Sequence, residues 1–145
     1  MSRKKDPNQN FLRILLYIED NLINALLVEQ LLAEHGNFKL LMAVNGYQGI
    51  QIACSHQPDL ILMDIKLPDI DGLEAMKILK ENPETAHIPV IALSSNAYPK
   101  QIEEGLKAGF FRYLTKPFKI NDLKNAIVLG LNDAAENRPT PLPCG

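Results

Sequence analysis

The sequence predicts an α/β domain built on a parallel sheet with helices on both faces. Short, unbroken apolar runs such as ILLYI at 14–18 and LILM at 60–63 read as strands buried on both sides, because alternation disappears when neither face meets water. These runs alternate with segments whose apolar residues recur at helical spacing, and right-handed helical crossovers are what join parallel strands. The count comes to five strand and helix units, with no internal repeat or low-complexity block in the core.

The first strand, Ile14 to Ile18, leads into a helix whose apolar stripe is Ile23, Leu26, Leu27 and Leu31, with Gly36 and Asn37 as its stop. Phe38 to Val44 is the second strand. Tyr47, Ile50 and Cys54 mark the second helix, which ends before Pro58. Leu60 to Met63 is the third strand. A loop with Pro68 and Asp71-Gly72 then opens a helix through Leu73, Met76 and Leu79 that stops at Asn82 and Pro83. Pro89 delivers the fourth strand, Val90 to Leu93. Ile102 and Leu106 mark a fourth helix closed by Gly109, Phe110 to Leu114 forms the fifth strand, and Leu123, Ala126, Ile127 and Leu131 the fifth helix. Residues 1–10 form a polar tail and 11–132 the folded domain. The tail 133–145 carries Pro139, Pro141 and Pro143 in alternation, which blocks regular pairing.

Composition narrows the function classes. With 145 residues, 46% hydrophobic and 22% charged, the chain is one soluble globular domain with no room for a second folded module. A net charge of −2 and 6% aromatics without Trp supply neither the basic footprint nor the stacking surface for direct nucleic-acid binding. Cys54 and Cys144 make no disulfide framework, and His35, His56 and His87 lack metal-ligand spacing and read as surface residues. No run approaches the roughly 20 apolar residues of a membrane span, and the polar start is unlike a signal peptide. The expected location is the cytoplasm.

In open sheets of this kind ligands bind at the carboxyl ends of the strands. Those ends carry Glu19 and Asp20, then Asp64, then Ser94, Ser95 and Asn96, then Thr115, Lys116 and Pro117. Three converging carboxylates repel one another, by roughly 1 kcal/mol per pair at about 4 Å in water and about 4 kcal/mol at an effective dielectric of 20. A cation is therefore expected among them. Mg²⁺ suits oxygen ligands, keeps several waters and often bridges one or two carboxylates to a phosphate, with Mn²⁺ as an alternative. One divalent cation and Lys116 together balance the three carboxylates, leaving a site able to admit an anionic phosphoryl group. Asp64 stands alone at its strand end behind LILM and is the candidate nucleophile, forming an aspartyl phosphate.

These residues closely resemble the receiver domain of two-component response regulators, over about Leu12 to Leu131. YIEDN at 17–21 is similar to the family's acidic pair, MDIKLPDIDG at 63–72 to its phosphoacceptor segment, ALSSNA at 92–97 to its switch hydroxyl loop, and YLTKPF at 113–118 to its lysine-proline motif. AGFFRYLTKP at 108–117 further resembles receivers attached to hybrid sensor histidine kinases. The resemblance implies a flavodoxin-like sheet of order 2-1-3-4-5. It implies that Asp64 takes a phosphoryl group from phosphohistidine, and that Asp20, Asp64 and the backbone carbonyl of Lys66 bind Mg²⁺ while Glu19 acts through a metal-bound water. It also implies that Lys116 and Ser94 contact the phosphoryl group, that Tyr113 reports the switch, and that Lys66 and Asn96 tune phosphoryl lifetime. The Lys116-Pro117 bond should be cis. Ser94 departs from the frequent threonine, keeping the hydroxyl and losing the methyl that restricts its rotamer. The implied partners are a sensor histidine kinase or a histidine-phosphotransfer protein, and downstream a protein met by the face of the fourth helix, fifth strand and fifth helix. Such a domain is expected to be no enzyme beyond catalysing its own phosphorylation and dephosphorylation, and tails this short leave output to another protein unless the chain is a piece of a longer one.

Each residue alone has an ordinary structural reading. Asp20 would cap a helix, Asp71-Gly72 would make a turn, Ser94 a turn hydroxyl, Lys116 a solvated charge, and Tyr113, Tyr47 and Phe38 would pack at the core or its edge. Arg3, Lys4 and Lys5 read as solubilising. Independent caps and turns give no reason for acids, hydroxyl and lysine to share one sheet edge. Two other functions fit the fold. A phosphorylation-independent scaffold leaves the acids and lysine without a purpose, and an FMN carrier needs a neutral phosphate cradle where Glu19 and Asp20 put negative charge.

Overall fold

The computed structural model describes residues 13–34, 38–95 and 98–137. The chain runs β1 (Arg13–Ile18), α1 (Leu22–Ala33), β2 (Phe38–Ala43), α2 (Gly46–His56), β3 (Leu60–Asp64), α3 (Gly72–Glu81), β4 (Val90–Ser94), α4 (Pro99–Ala108), β5 (Arg112–Thr115) and α5 (Ile120–Asn137). All strands pair in parallel, in the order β2-β1-β3-β4-β5, which is the expected flavodoxin-like arrangement. The register sets Ile18 beside Met63, Asp64 beside Leu93, and Ser94 beside Thr115. The first residues beyond β1 and β5 therefore meet the last residues of β3 and β4 along one edge.

Strand periodicity sorts the core into two layers. Leu60 and Leu62 join Leu15, Val28 of α1 and Ile127 of α5, whereas Ile61 and Met63 join Leu16, Ala53 of α2 and Met76 of α3. Successive side chains of a strand point to opposite faces, so one continuous apolar run fills both layers. Every residue of β3 and β4 is buried.

Four expectations change. The buried residues of α1 are Ala25, Val28 and Leu32, while Ile23, Leu26 and Leu27 are exposed. Only Asn24, Glu29 and Gln30 are polar in this helix, so apolar spacing selects no unique face and packing against the sheet chooses the rotation. Tyr47 is exposed rather than packed, because the buried side of α2 is made by Gly46, Gly49 and Ala53. At Gly49 an added Cβ would lie 2.3 Å from Ile18 Cδ1, and that close approach turns the bulkier residues outward. Phe38, by contrast, packs against the core from the edge strand.

β5 begins at Arg112 instead of Phe110. Gly109 ends α4 in the left-handed region at φ 113°, the Phe110 amide donates to the Gly105 carbonyl at 3.2 Å, and the Phe110 ring enters the core. The helix-ending turn thus consumes two residues before the strand can start. At the other end, α5 continues through Asn137, past the expected boundary at 132, since no proline falls between Pro117 and Pro139. Asn96, Gly36, Asn37, His35, Cys144 and both tails outside residues 13–137 lie beyond the described residues. His56 and His87 are exposed.

Candidate functional site

The site is assembled from four strand ends, those of β1, β3, β4 and β5. Glu19 and Asp20 follow β1 directly. Their backbone direction is set by the Glu19 amide donating to the Ala43 carbonyl of β2 at 2.9 Å. The first helical turn is then capped by Asn21, whose Oδ1 accepts from the amides of Ile23 at 2.9 Å and Asn24 at 3.2 Å. Asp20 is therefore not the cap that its position suggested. It is exposed, and one oxygen of its carboxylate lies with one each of Glu19 and Asp64 in a cluster within 4.8 Å of one another.

Asp64 ends β3 and is only 7% exposed. Its Oδ1 accepts from the Lys66 amide at 3.1 Å and its Oδ2 from Lys116 Nζ at 3.1 Å. Lys116 also donates to Glu19 Oε1 at 3.3 Å, so one ammonium from beyond β5 links acids that end β3 and follow β1. Burial by itself would lower the lysine pKa. The hydrogen bond and charge of Asp64, with those of Glu19, outweigh it and raise the pKa. Lys116 thus keeps its positive charge at neutral pH. The Lys116-Pro117 bond is cis, and the Lys116 amide donates to the Ser94 carbonyl at 2.7 Å, fastening this loop to the end of β4.

Glu19 is 4% exposed and accepts four hydrogen bonds. Tyr17 Oη at 3.2 Å, Asn24 Nδ2 at 3.3 Å and Lys116 Nζ at 3.3 Å converge on Oε1, and the Asn21 amide reaches Oε2 at 3.2 Å. Desolvation, and then the charge and hydrogen bond of Glu19, push the Tyr17 phenol well above its ordinary pKa, so it serves as a donor. Ser94 is buried at the end of β4, and with Asp64, Lys66 and Ser95 it lines a cleft of about 440 Å³.

The floor of that cleft is the loop from β3 to α3. Asp69 clamps it to α2, accepting from the amides of Gly46 at 2.8 Å, Tyr47 at 2.9 Å and Ile70 at 2.8 Å. The slight desolvation of this carboxylate acts to raise its pKa, but the bonds from Tyr47, Gly46 and Ile70 prevail and hold it below the ordinary value. Asp71 caps α3 through the Leu73 amide at 2.9 Å, as a turn and helix-start residue should. Gly72 is required by close approach: a Cβ there would sit 2.7 Å from Ile65 Cα. Tyr113 is half-buried, with its ring against Gly105 of α4, where a Cβ would be 2.7 Å from Cδ2.

Glu19, Asp20, Asp64, Lys116, Lys66 and Ser94 thus meet at one edge, while Tyr113 lies against α4. Tyr17, Asn21, Asn24 and Asp69 were not singled out from sequence as site residues. The polar Tyr17 within an aliphatic strand and the Asn at 21 before an apolar run were the available signals; Asp69 had none, because the amides it binds belong to another helix. The carboxylate set fits a hard divalent cation. Its donors are all oxygens, two of the three acids are buried, and one lysine leaves two negative charges unbalanced.

The family model for the response regulator receiver domain matches residues 15–128. The chain is 37% identical over 119 residues to the polar-differentiation response regulator DivK of Brucella anthropi, covering 82% of this chain and 96% of that protein. Among solved structures, it is similar to the receiver domain of a sensor histidine kinase from Pseudomonas aeruginosa, which holds a magnesium ion in its active-site cleft. The TM-score is 0.76 and the identity 31%, over 83% of this chain and 98% of that one. A receiver domain of a signal transduction histidine kinase from Syntrophus aciditrophicus gives 0.76 at 26% identity, over 90% of this chain and 96% of that one. A family match over residues 15–128 and a relative 37% identical over 82% of this chain show that the chain belongs to the response regulator receiver family of two-component signalling.

Proposed function

We propose that this receiver domain is a phosphoacceptor switch that takes a phosphoryl group from phosphohistidine onto Asp64. The observation that carries the reading is Lys116 Nζ lying 3.1 Å from Asp64 Oδ2 and 3.3 Å from Glu19 Oε1 beside a third carboxylate. An Asp64 carboxylate oxygen attacks phosphorus as the bond to the donor imidazole nitrogen breaks. Lys116 neutralises charge on the phosphoryl oxygens, and the Ser94 hydroxyl offers a hydrogen bond from the same edge. Glu19, Asp20, Asp64 and the Lys66 carbonyl would hold Mg²⁺, which when bound supplies charge neutralisation for the transferring group. Lys66 borders the cleft and tunes access of water to the product.

The domain catalyses only its own phosphorylation and dephosphorylation. A histidine kinase or phosphotransfer protein is the donor. The downstream surface is the face of α4, β5 and α5, because the contact between Tyr113 and Gly105 couples a movement of the tyrosine to α4. No described helix is long and apolar enough to cross a membrane, and we place the domain in the cytoplasm. Incubation with acetyl phosphate and Mg²⁺ should label the wild type and not Asp64→Asn. Labelling of the variant at the wild-type rate would refute the assignment.

A further inference from the structure

Tyr17 is the one residue of RILLYI whose side chain combines an aromatic body with a hydroxyl. It is 1% exposed and packs in the layer beneath α1 and α5. A phenol enclosed to that extent needs a hydrogen-bond partner, and the partner is Glu19 Oε1 at 3.2 Å. Residues two apart at a strand end project to the same side, so the strand itself delivers the hydroxyl to the acid. A carboxylate oxygen has two lone pairs. Among the described residues, Glu19 Oε1 faces three donors, from Tyr17, Asn24 and Lys116, whereas Oε2 receives the Asn21 amide alone. The carboxylate is thereby held with one saturated oxygen and one that retains acceptor capacity.

We propose that Tyr17 is a positioning residue for cation binding, its hydroxyl fixing Glu19 so that Oε2 is presented to the metal or to a metal-bound water. Leu or Phe would fill the same space in the core, so packing alone does not call for the hydroxyl. Outer partners of this kind orient ligands, and their loss commonly weakens metal affinity by about 10–100-fold. The inference rests on the reading that the acidic cluster binds Mg²⁺, and its test separates the two.

The full chain and its Tyr17→Phe variant are titrated with Mg²⁺ by calorimetry. The variant should bind about tenfold more weakly, yet reach a phosphorylation rate within about twofold of wild type once Mg²⁺ is saturating. A purely structural tyrosine would not divide affinity from rate in this way. In wild-type protein labelled with ¹³C-tyrosine, the Tyr17 Cζ resonance should shift with the same half-saturation as the calorimetric binding, a readout independent of how well the variant folds. Equal Mg²⁺ affinity in the two proteins, or a Cζ resonance unmoved by Mg²⁺, overturns the proposal while leaving the acidic site intact. Absence of Mg²⁺ binding by the wild type overturns both.

Discussion

The two ends of the sheet use the same kinds of polar residue to opposite effect. At the amino end, Asp59 Oδ2 accepts from the Ile14 amide at 2.8 Å, buried Thr85 donates its hydroxyl to the Leu79 carbonyl at 2.7 Å, and Gln57 Nε2 donates to the Glu84 carbonyl at 3.0 Å. Each of these three bonds ties a side chain to backbone and holds a connection in place. At the carboxyl end, Glu19, Asp64 and Lys116 bind one another across β1, β3 and β5, and a third carboxylate, Asp20, adds charge that no second lysine among the described residues pairs with. Polarity at a strand end therefore does not make a site. What makes one is side chains facing side chains, with charge and acceptor capacity left for a ligand.

Substitutions at the two ends should separate activity from stability. The largest effect is expected for Lys116→Ala, which removes the positive charge facing the acceptor. Labelling by acetyl phosphate should slow by about 10²–10³-fold, the range found when one transition-state donor is lost. A rate within a fewfold of wild type would erase the distinction between the ends. Next in size is Leu32→Ala, at the end of α1 remote from the acids, where a buried leucine typically costs about 2–5 kcal/mol on truncation. Chemical denaturation should show that loss, while Leu26→Ala, on the exposed side, should change stability by no more than about 0.5 kcal/mol. Reversed magnitudes would mean that α1 is rotated from the face described.

Thr85→Val keeps the shape and leaves the Leu79 carbonyl without its donor, a cost of about 1–3 kcal/mol. For a domain of this size that corresponds to roughly 2–4 °C in Tm per kcal/mol, with the labelling rate unchanged. The smallest effect concerns Asp69. Its folded pKa is lowered, so the stability it contributes is present above the ordinary carboxylate pKa near 4 and is lost as pH falls through the lower folded value. Scans of Tm from pH 7 to pH 3 should therefore decline less steeply for Asp69→Asn than for wild type. An identical acid limb would show that the clamp on α2 adds nothing in solution.

Much of this was legible in the chain. The runs at 60–63 and 90–93 could only be interior strands, and the order of acids, Ser94 and Lys116 along the strand ends pointed to one edge. The illegible parts have particular causes. α1 is apolar nearly all round, so its rotation depends on the fit of Ala25 and Val28 to the sheet, which spacing does not encode. β5 was displaced because Gly109 turns the chain and draws Phe110 inward before pairing begins. Asp69 looked like a loop residue until the fold brought the first turn of α2 against it.

The sequence by itself determined the α/β class, the five units and the residues able to carry phosphoryl chemistry, because burial periodicity and strand-end chemistry are local properties of the chain. Only the tertiary structure decided how those residues divide the work. It buried Glu19 under four donors and left Asp20 exposed, although the two are neighbours in sequence. The reason is that the decisive partner comes from another element: Tyr17, Asn21 and Asn24 reach Glu19 from its own neighbourhood, whereas Lys116 reaches it from beyond β5.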